Sequence, residues 1–181
     1  MTENFSIKIS HLAWGNEDIE ILFDDEKLYF SAGYLSSDPL GDMVKIAAFF
    51  VNNEDCKHYA VEWDGEPVIM EFEVQRDLSS KGVLHVSAKT KGKYEGDDEY
   101  HFEVTLESFK SAVIKETIRV LKEYGIRGYD GSWCDGWNTF PLTSLLILLG
   151  DKSRFDEDSE SHRSNIKDEL QLLMSALDRE K

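Results

Sequence analysis

The chain has 181 residues, with 36 acidic and 20 basic side chains and a formal net charge of −16. That balance cannot supply the positive potential that phosphate binding needs, so it excludes a conventional nucleic-acid binder or anionic-membrane binder. Hydrophobic residues make up 41% and aromatics 12%, enough to build a core and exclude a disordered chain, and the length suits one domain.

The first third reads as strands. Phe5, Ile7 and Ile9 alternate with Ser6, Lys8 and Ser10; Ile19, Ile21 and Phe23 alternate with acidic Asp18 and Asp24; Leu28, Phe30 and Ala32 repeat the pattern. Period-two alternation marks half-buried antiparallel strands, and Gly15-Asn16 and Asp24-Asp25-Glu26 suit the turns between them. A helix follows. Asp38 is a good N-cap, Pro39 fits the first helical position, and Leu40, Met43, Val44, Ala47 and Val51 share one face before Asn52-Asn53 ends the run.

Four more strands come next, carried by Tyr59, Val61 and Trp63; by Val68, Met70, Phe72 and Val74; by Leu84, Val86 and Ala88; and by Tyr100, Phe102, Val104 and Leu106. The Lys-, Gly- and Asp-rich stretch from Lys89 to Glu99 reads as a hairpin tip. A helix is predicted from Phe109 to Tyr124, with Gly125 as its stop, because glycine takes the left-handed geometry at low cost. A glycine- and aromatic-rich loop then runs from Arg127 to Phe140, and Pro141 opens a short apolar helix ending at Leu149.

Strands in one run and helices in another predict an α+β protein: a single antiparallel sheet of about seven strands with helices packed on one face, and C-terminal helices. Residues 1–150 form the α+β domain. Residues 151–181 read as a polar linker and a C-terminal amphipathic helix carrying Ile166, Leu170, Leu173 and Leu177.

The N-terminal residues Met1 to Ser6 have no basic or apolar signal-like region, and the apolar stretch Leu142 to Leu149 is too short to span a bilayer, so the expected location is cytoplasmic. The two cysteines, Cys56 and Cys134, are far apart and outside any C-x-x-C pattern, so reduced thiols are expected there. His11, His58, His85, His101 and His162 show no metal spacing, although His85 and His101 become cross-strand neighbours if their strands pair. A calcium loop starting at Asp156 fails, with serine at 161 where glycine is required and lysine at 167 where glutamate is required. There is no nucleophile elbow, P-loop or dinucleotide fingerprint. No catalytic residue, metal or cofactor is expected.

Two features could carry a function. The first is regional charge. Between Ala13 and Glu73 there are 15 acidic residues and three basic ones. Glu17, Asp18, Glu20, Asp24, Glu62, Asp64 and Glu66 are the candidates for a solvated face that docks a basic partner, with charge steering the encounter. The same residues also suit a plain solubilising surface. Asp64 and Glu66 flank Gly65, and a hairpin turn explains them better than paired-carboxylate catalysis. The second feature is the loop from Gly128 to Phe140. Tyr129, Trp133, Asp135 and Trp137 are residue types that serve as interface anchors or as a carbohydrate-stacking site, and equally as a plug for the core.

Three segments form a recognisable set: Tyr34-Leu35-Ser36-Ser37-Asp38-Pro39-Leu40-Gly41-Asp42 entering a helix, Trp63-Asp64-Gly65-Glu66-Pro67 between strands, and Tyr124-Gly125 followed by Gly128-Tyr129 and Phe140-Pro141. Together they resemble a family of small acidic bacterial proteins over roughly Phe5 to Leu149. The resemblance implies an accessory-type protein and brings no catalytic residues with it. Immunity proteins of toxin systems are similar in size and acidity, by analogy of class alone. The expected function is therefore a non-enzymatic binding module of the immunity or inhibitor type. It would present an acidic face to a basic protein, such as a toxin domain, and bind neither nucleic acid nor membrane. A small-molecule or carbohydrate-binding domain using loop 128–140 is the alternative.

Overall fold

The computed structural model describes residues 4–13, 16–33, 38–53, 55, 57–80, 82–92, 98–132 and 140–150. Its elements, in chain order, are β1 (Phe5–Ala13), β2 (Asn16–Phe23), β3 (Glu26–Ala32), α1 (Pro39–Asn52), β4 (His58–Asp64), β5 (Val68–Arg76), β6 (Val83–Gly92), β7 (Glu99–Thr105), α2 (Leu106–Ser132) and α3 (Leu142–Leu148). The α+β class holds, but the single seven-stranded sheet does not. The strands form two antiparallel sheets, β1-β2-β3 and β4-β5-β6-β7. Each strand has one apolar phase, and that phase is satisfied equally by a covering helix or by a second sheet. Here the two apolar faces share one core. Phe23 stacks on Phe102 with ring centroids 4.3 Å apart, and Phe30 lies 6.4 Å from Trp63. Aromatic pairs at such separations add to the area they bury.

The sheets meet closely where β3 ends and β4 turns. The Gly33 amide donates to the Asp64 carbonyl. A Cβ on Gly65 would stand closer than 3.0 Å to the Ser31 carbonyl oxygen and to the Phe30 ring, so only glycine permits this approach.

Helix α1 bridges the sheets. Leu40, Met43, Val44, Ile46, Ala47, Ala48 and Phe50 are all buried, more than the single stripe its sequence suggests, as befits a helix with packing partners on several sides. Helix α2 starts earlier than its apolar stripe indicates; its first helical segment ends at the expected Gly125, whose φ of 68° is non-helical, and a second segment continues beyond this kink. Part of the expected loop, up to Ser132, is therefore helical. Pro141 directly precedes α3.

Helix α2 also closes an edge. Strand β1 carries a register shift between Ile9 and His11. The Ile9 amide donates to Glu116 Oε1, and Arg119 Nη2 donates to the Ile9 carbonyl at 2.6 Å. These contacts occupy main-chain groups that an edge strand otherwise leaves open. No helix among the described residues is long and apolar enough to cross a membrane. Residues 151–181 lie outside the described residues.

Gly65→Ala should therefore lower stability by about 1–3 kcal/mol, because the opposing atom is main-chain and cannot swing away. Gly92→Ala, where the nearest side chain is at an ordinary 3.6 Å, should leave the urea midpoint nearly unchanged. Equal midpoints for the two variants would contradict the close approach.

Candidate functional site

The acidic residues singled out by sequence separate into distinct environments. Glu17 is not on a docking face. It shares the inward phase of Ile19, Ile21 and Phe23 and is fully buried. Its Oε1 accepts from the Leu40 amide at 2.8 Å, at the start of α1. Asp38, the N-cap, accepts from the Gly41 amide at 2.7 Å and from the Tyr129 hydroxyl. A Cβ on Gly41 would collide with the Asp38 carboxylate, so glycine at this position admits the cap. Tyr129 is fully buried too, with its ring edge-on to Phe140 at 5.4 Å, so it is no surface anchor. Trp133, Asp135 and Trp137 lie outside the described residues.

The first turn of α1 thus receives two buried carboxyl groups from different elements. Helix N-termini have exposed amides to satisfy, and negative charge is favoured there. Burial works against charge. It pushes the Glu17 carboxyl well above its ordinary range, and the neighbouring Asp38 adds to the rise. Burial also lifts Asp38 to about 6, against the opposing pull of the Tyr129 hydroxyl and the Gly41 amide. Tyr129 is itself pushed well above the ordinary tyrosine value, chiefly by burial and next by Glu17. Glu17 Oε2 is buried and has no hydrogen-bond partner among the described residues. Asp42 completes the first turn, accepting from Lys45 Nζ at 2.9 Å and from Trp63 Nε1 at 3.2 Å. The arrangement is a structural lock on α1.

On the outer face of the three-stranded sheet, acidic charge is largely answered. Glu20 lies between Lys27 and Lys8, and the Lys27 contact holds its carboxyl below the usual range. Asp18 sits on the same outward phase, half-buried. Asp24 occupies the β2–β3 turn with φ of 53° and accepts from the Asn4 amide at 3.2 Å. Asp64 Oδ1 accepts from the Glu66 amide at 3.0 Å, which makes these two residues a β4–β5 turn as the sequence suggests.

The outer face of the four-stranded sheet is different. Glu62 stands opposite Glu71, which in turn pairs with Lys91. Farther along, Glu73, Gln75, His85, Ser87, Glu99, His101 and Glu103 line an open groove of about 620 Å³. No lysine or arginine is among the described residues that line it. The strands carrying His85 and His101 do pair, with His85 opposite Glu103 and His101 opposite Ser87. His85 lies between Asp77 at 3.6 Å and Glu103 at 3.3 Å; His101 is 3.2 Å from Glu99, and His58 is 3.6 Å from Glu73. Hydrogen bonds from the Ser79 hydroxyl and amide hold Asp77 well below the usual carboxylate range.

Among the described residues, no group of three His, Cys, Asp or Glu side chains is arranged to hold a metal ion. The groove can accept hydrogen bonds and compensate positive charge. Its residues on β6 and β7 were missed because they fall outside the charge-rich stretch. The shared outward phase of β6 and β7 was the signal that could have found them.

Comparison with family models, with curated proteins and with solved structures finds no match to this chain.

The buried pair generates a pH signature of known sign. A carboxyl group raised on folding contributes its stability fully below the unfolded value, and that contribution is lost as pH rises through the folded value. For Asp38 the window runs from the ordinary 3.8 up to about 6, and Glu17 shifts the same way. Glu17→Gln keeps the acceptor for the Leu40 amide and cannot ionise. Its stability relative to wild type should rise between pH 4 and pH 8 by about 1–3 kcal/mol in urea titrations. A gap that is constant or shrinks with pH would show that Glu17 is not a raised carboxyl.

Proposed function

We propose that the protein is a non-enzymatic binding module that presents the outer face of its four-stranded sheet to a basic protein. On this reading it acts in the manner of an immunity or inhibitor protein that covers the cationic surface of a toxin. The observation that carries the reading is the groove. Glu73, Glu99 and Glu103 line it, and the imidazoles of His85 and His101 lie against carboxylates. Unlike Glu20, which is held between two lysines, these acids share a groove whose described lining holds no lysine or arginine, with Lys89 opposite Glu99 at its end. Complementary potentials of this kind raise association rates and reject like-charged partners. The excess of 36 acidic over 20 basic residues extends the same field beyond the groove.

The reading moves the docking face away from Glu17, Asp18, Glu20 and Asp24. It keeps Glu62 at the margin of the same sheet face. Exposed ion pairs are individually weak, so affinity must come from several charges acting together and from apolar contacts supplied at the interface.

The triple variant E73Q/E99Q/E103Q tests this. Bait made from the wild-type chain should retain a basic protein from extracts of the native host at low ionic strength and release it as salt rises. The triple variant should retain at least about tenfold less of that protein, with an unchanged melting temperature, because the altered side chains are surface carboxylates. Equal retention by the two baits, or retention insensitive to salt, would contradict the proposal.

A further inference from the structure

The groove abuts a sheet edge that no other described strand pairs with. Strand β7 is the last strand of the order β4-β5-β6-β7. Its hydrogen-bonding phase is fixed at both ends of the β6–β7 ladder. The Leu106 amide donates to the Gly82 carbonyl at 2.7 Å, and the Thr90 amide donates to the Asp98 carbonyl at 2.8 Å. Antiparallel strands alternate, so the main-chain groups of Tyr100, Phe102 and Val104 turn toward β6, and those of Glu99, His101 and Glu103 turn away. The main-chain groups of Glu99 and His101 have no hydrogen-bond partner among the described residues, and both residues are exposed. Strand β1 shows the contrast, since Glu116 and Arg119 occupy the outward main-chain groups of Ile9.

We propose that an extended segment of the basic partner adds beside β7 as an antiparallel fifth strand, pairing its main chain with Glu99 and His101 and laying lysine or arginine side chains beside Glu99 and Glu103. The proposal rests on the docking face described above and specifies how it is used. Its geometry is self-consistent. In an antiparallel addition, the residues whose amides face β7 alternate along the new strand, and their side chains project to the same face as those of Glu99 and Glu103. On the outer face of this sheet, their neighbours are the carboxylates of Glu99 and Glu103, each 48% exposed. Opposite charges on adjacent strands attract, and the main-chain bonds give affinity independent of the exact side chains. An acidic or apolar segment would meet like charge or leave these carboxylates desolvated, which selects for a basic one.

The test uses the full chain and a labelled ten-residue peptide alternating lysine and threonine, followed by fluorescence anisotropy at low ionic strength. A second peptide carries N-methyl groups on the lysine main-chain nitrogens, which keeps the charge and removes the donors. The wild-type chain should bind the methylated peptide at least about tenfold more weakly than its parent, since two or more main-chain bonds are lost. His101→Pro should weaken the parent peptide to a similar degree, because proline on an edge removes an outward donor and spares the β6 pairing. E99Q/E103Q should weaken it as well. Equal binding of the two peptides would overturn strand addition while leaving an acidic docking face intact. Failure to bind the parent peptide at all would overturn both. The methylated peptide needs no change to the protein, so the comparison stands even if the proline variant does not fold.

Discussion

Helix α1 is held at its two ends by groups brought from different sheets. At its start, the Leu40 amide donates to Glu17 of β2, beside the Asp38 cap. At its finish, Arg76 of β5 donates to the Phe50 carbonyl and, at 3.4 Å, to the Asn53 carbonyl, with its guanidinium 5.5 Å from the Phe50 ring centroid. A helix dipole favours acidic groups at the start and cationic groups at the end. The first clamp comes from the three-stranded sheet and the second from the four-stranded sheet. Trp63 adds a third tie through Asp42. The relative position of the two sheets therefore depends on buried and half-buried polar groups at the ends of one helix.

This arrangement explains why both outer sheet faces carry polar residues. The apolar faces look inward onto a common core with α1 between them, and α2 lies along β1. The outer faces then differ in charge. One carries the lysine-neutralised Glu20, and the other carries the acid-lined groove. The molecule is asymmetric in charge pattern between its two outer sheet faces.

Much of the fold is legible in the residues. The alternation of Ile19, Ile21 and Phe23, or of Met70, Phe72 and Val74, marks strands because a half-buried sheet imposes period two. Asp38-Pro39 announces a helix start because cap and ring geometry are local. Two things are not local. Whether an apolar strand face meets a helix or another sheet is decided by the whole chain, and here β3 and β4 are separated by α1 instead of paired. The side of a strand on which a carboxylate stands needs the phase as well as the composition. Glu17 keeps step with Ile19 and Ile21, so its burial was readable, yet its membership in an acidic run points to the surface. Glu99 and Glu103 lie far along the chain from that run and join its last member, Glu73, only through the β5–β6–β7 register.

The most direct measurement is a map of backbone amide shifts when the full chain is titrated with a lysine-rich peptide. A binding face on the four-stranded sheet predicts perturbations concentrated at Glu73, His85, Glu99, His101 and Glu103, fading as salt is added. Perturbations centred on Asp18, Glu20 and Asp24, or spread evenly over every acidic residue, would contradict it.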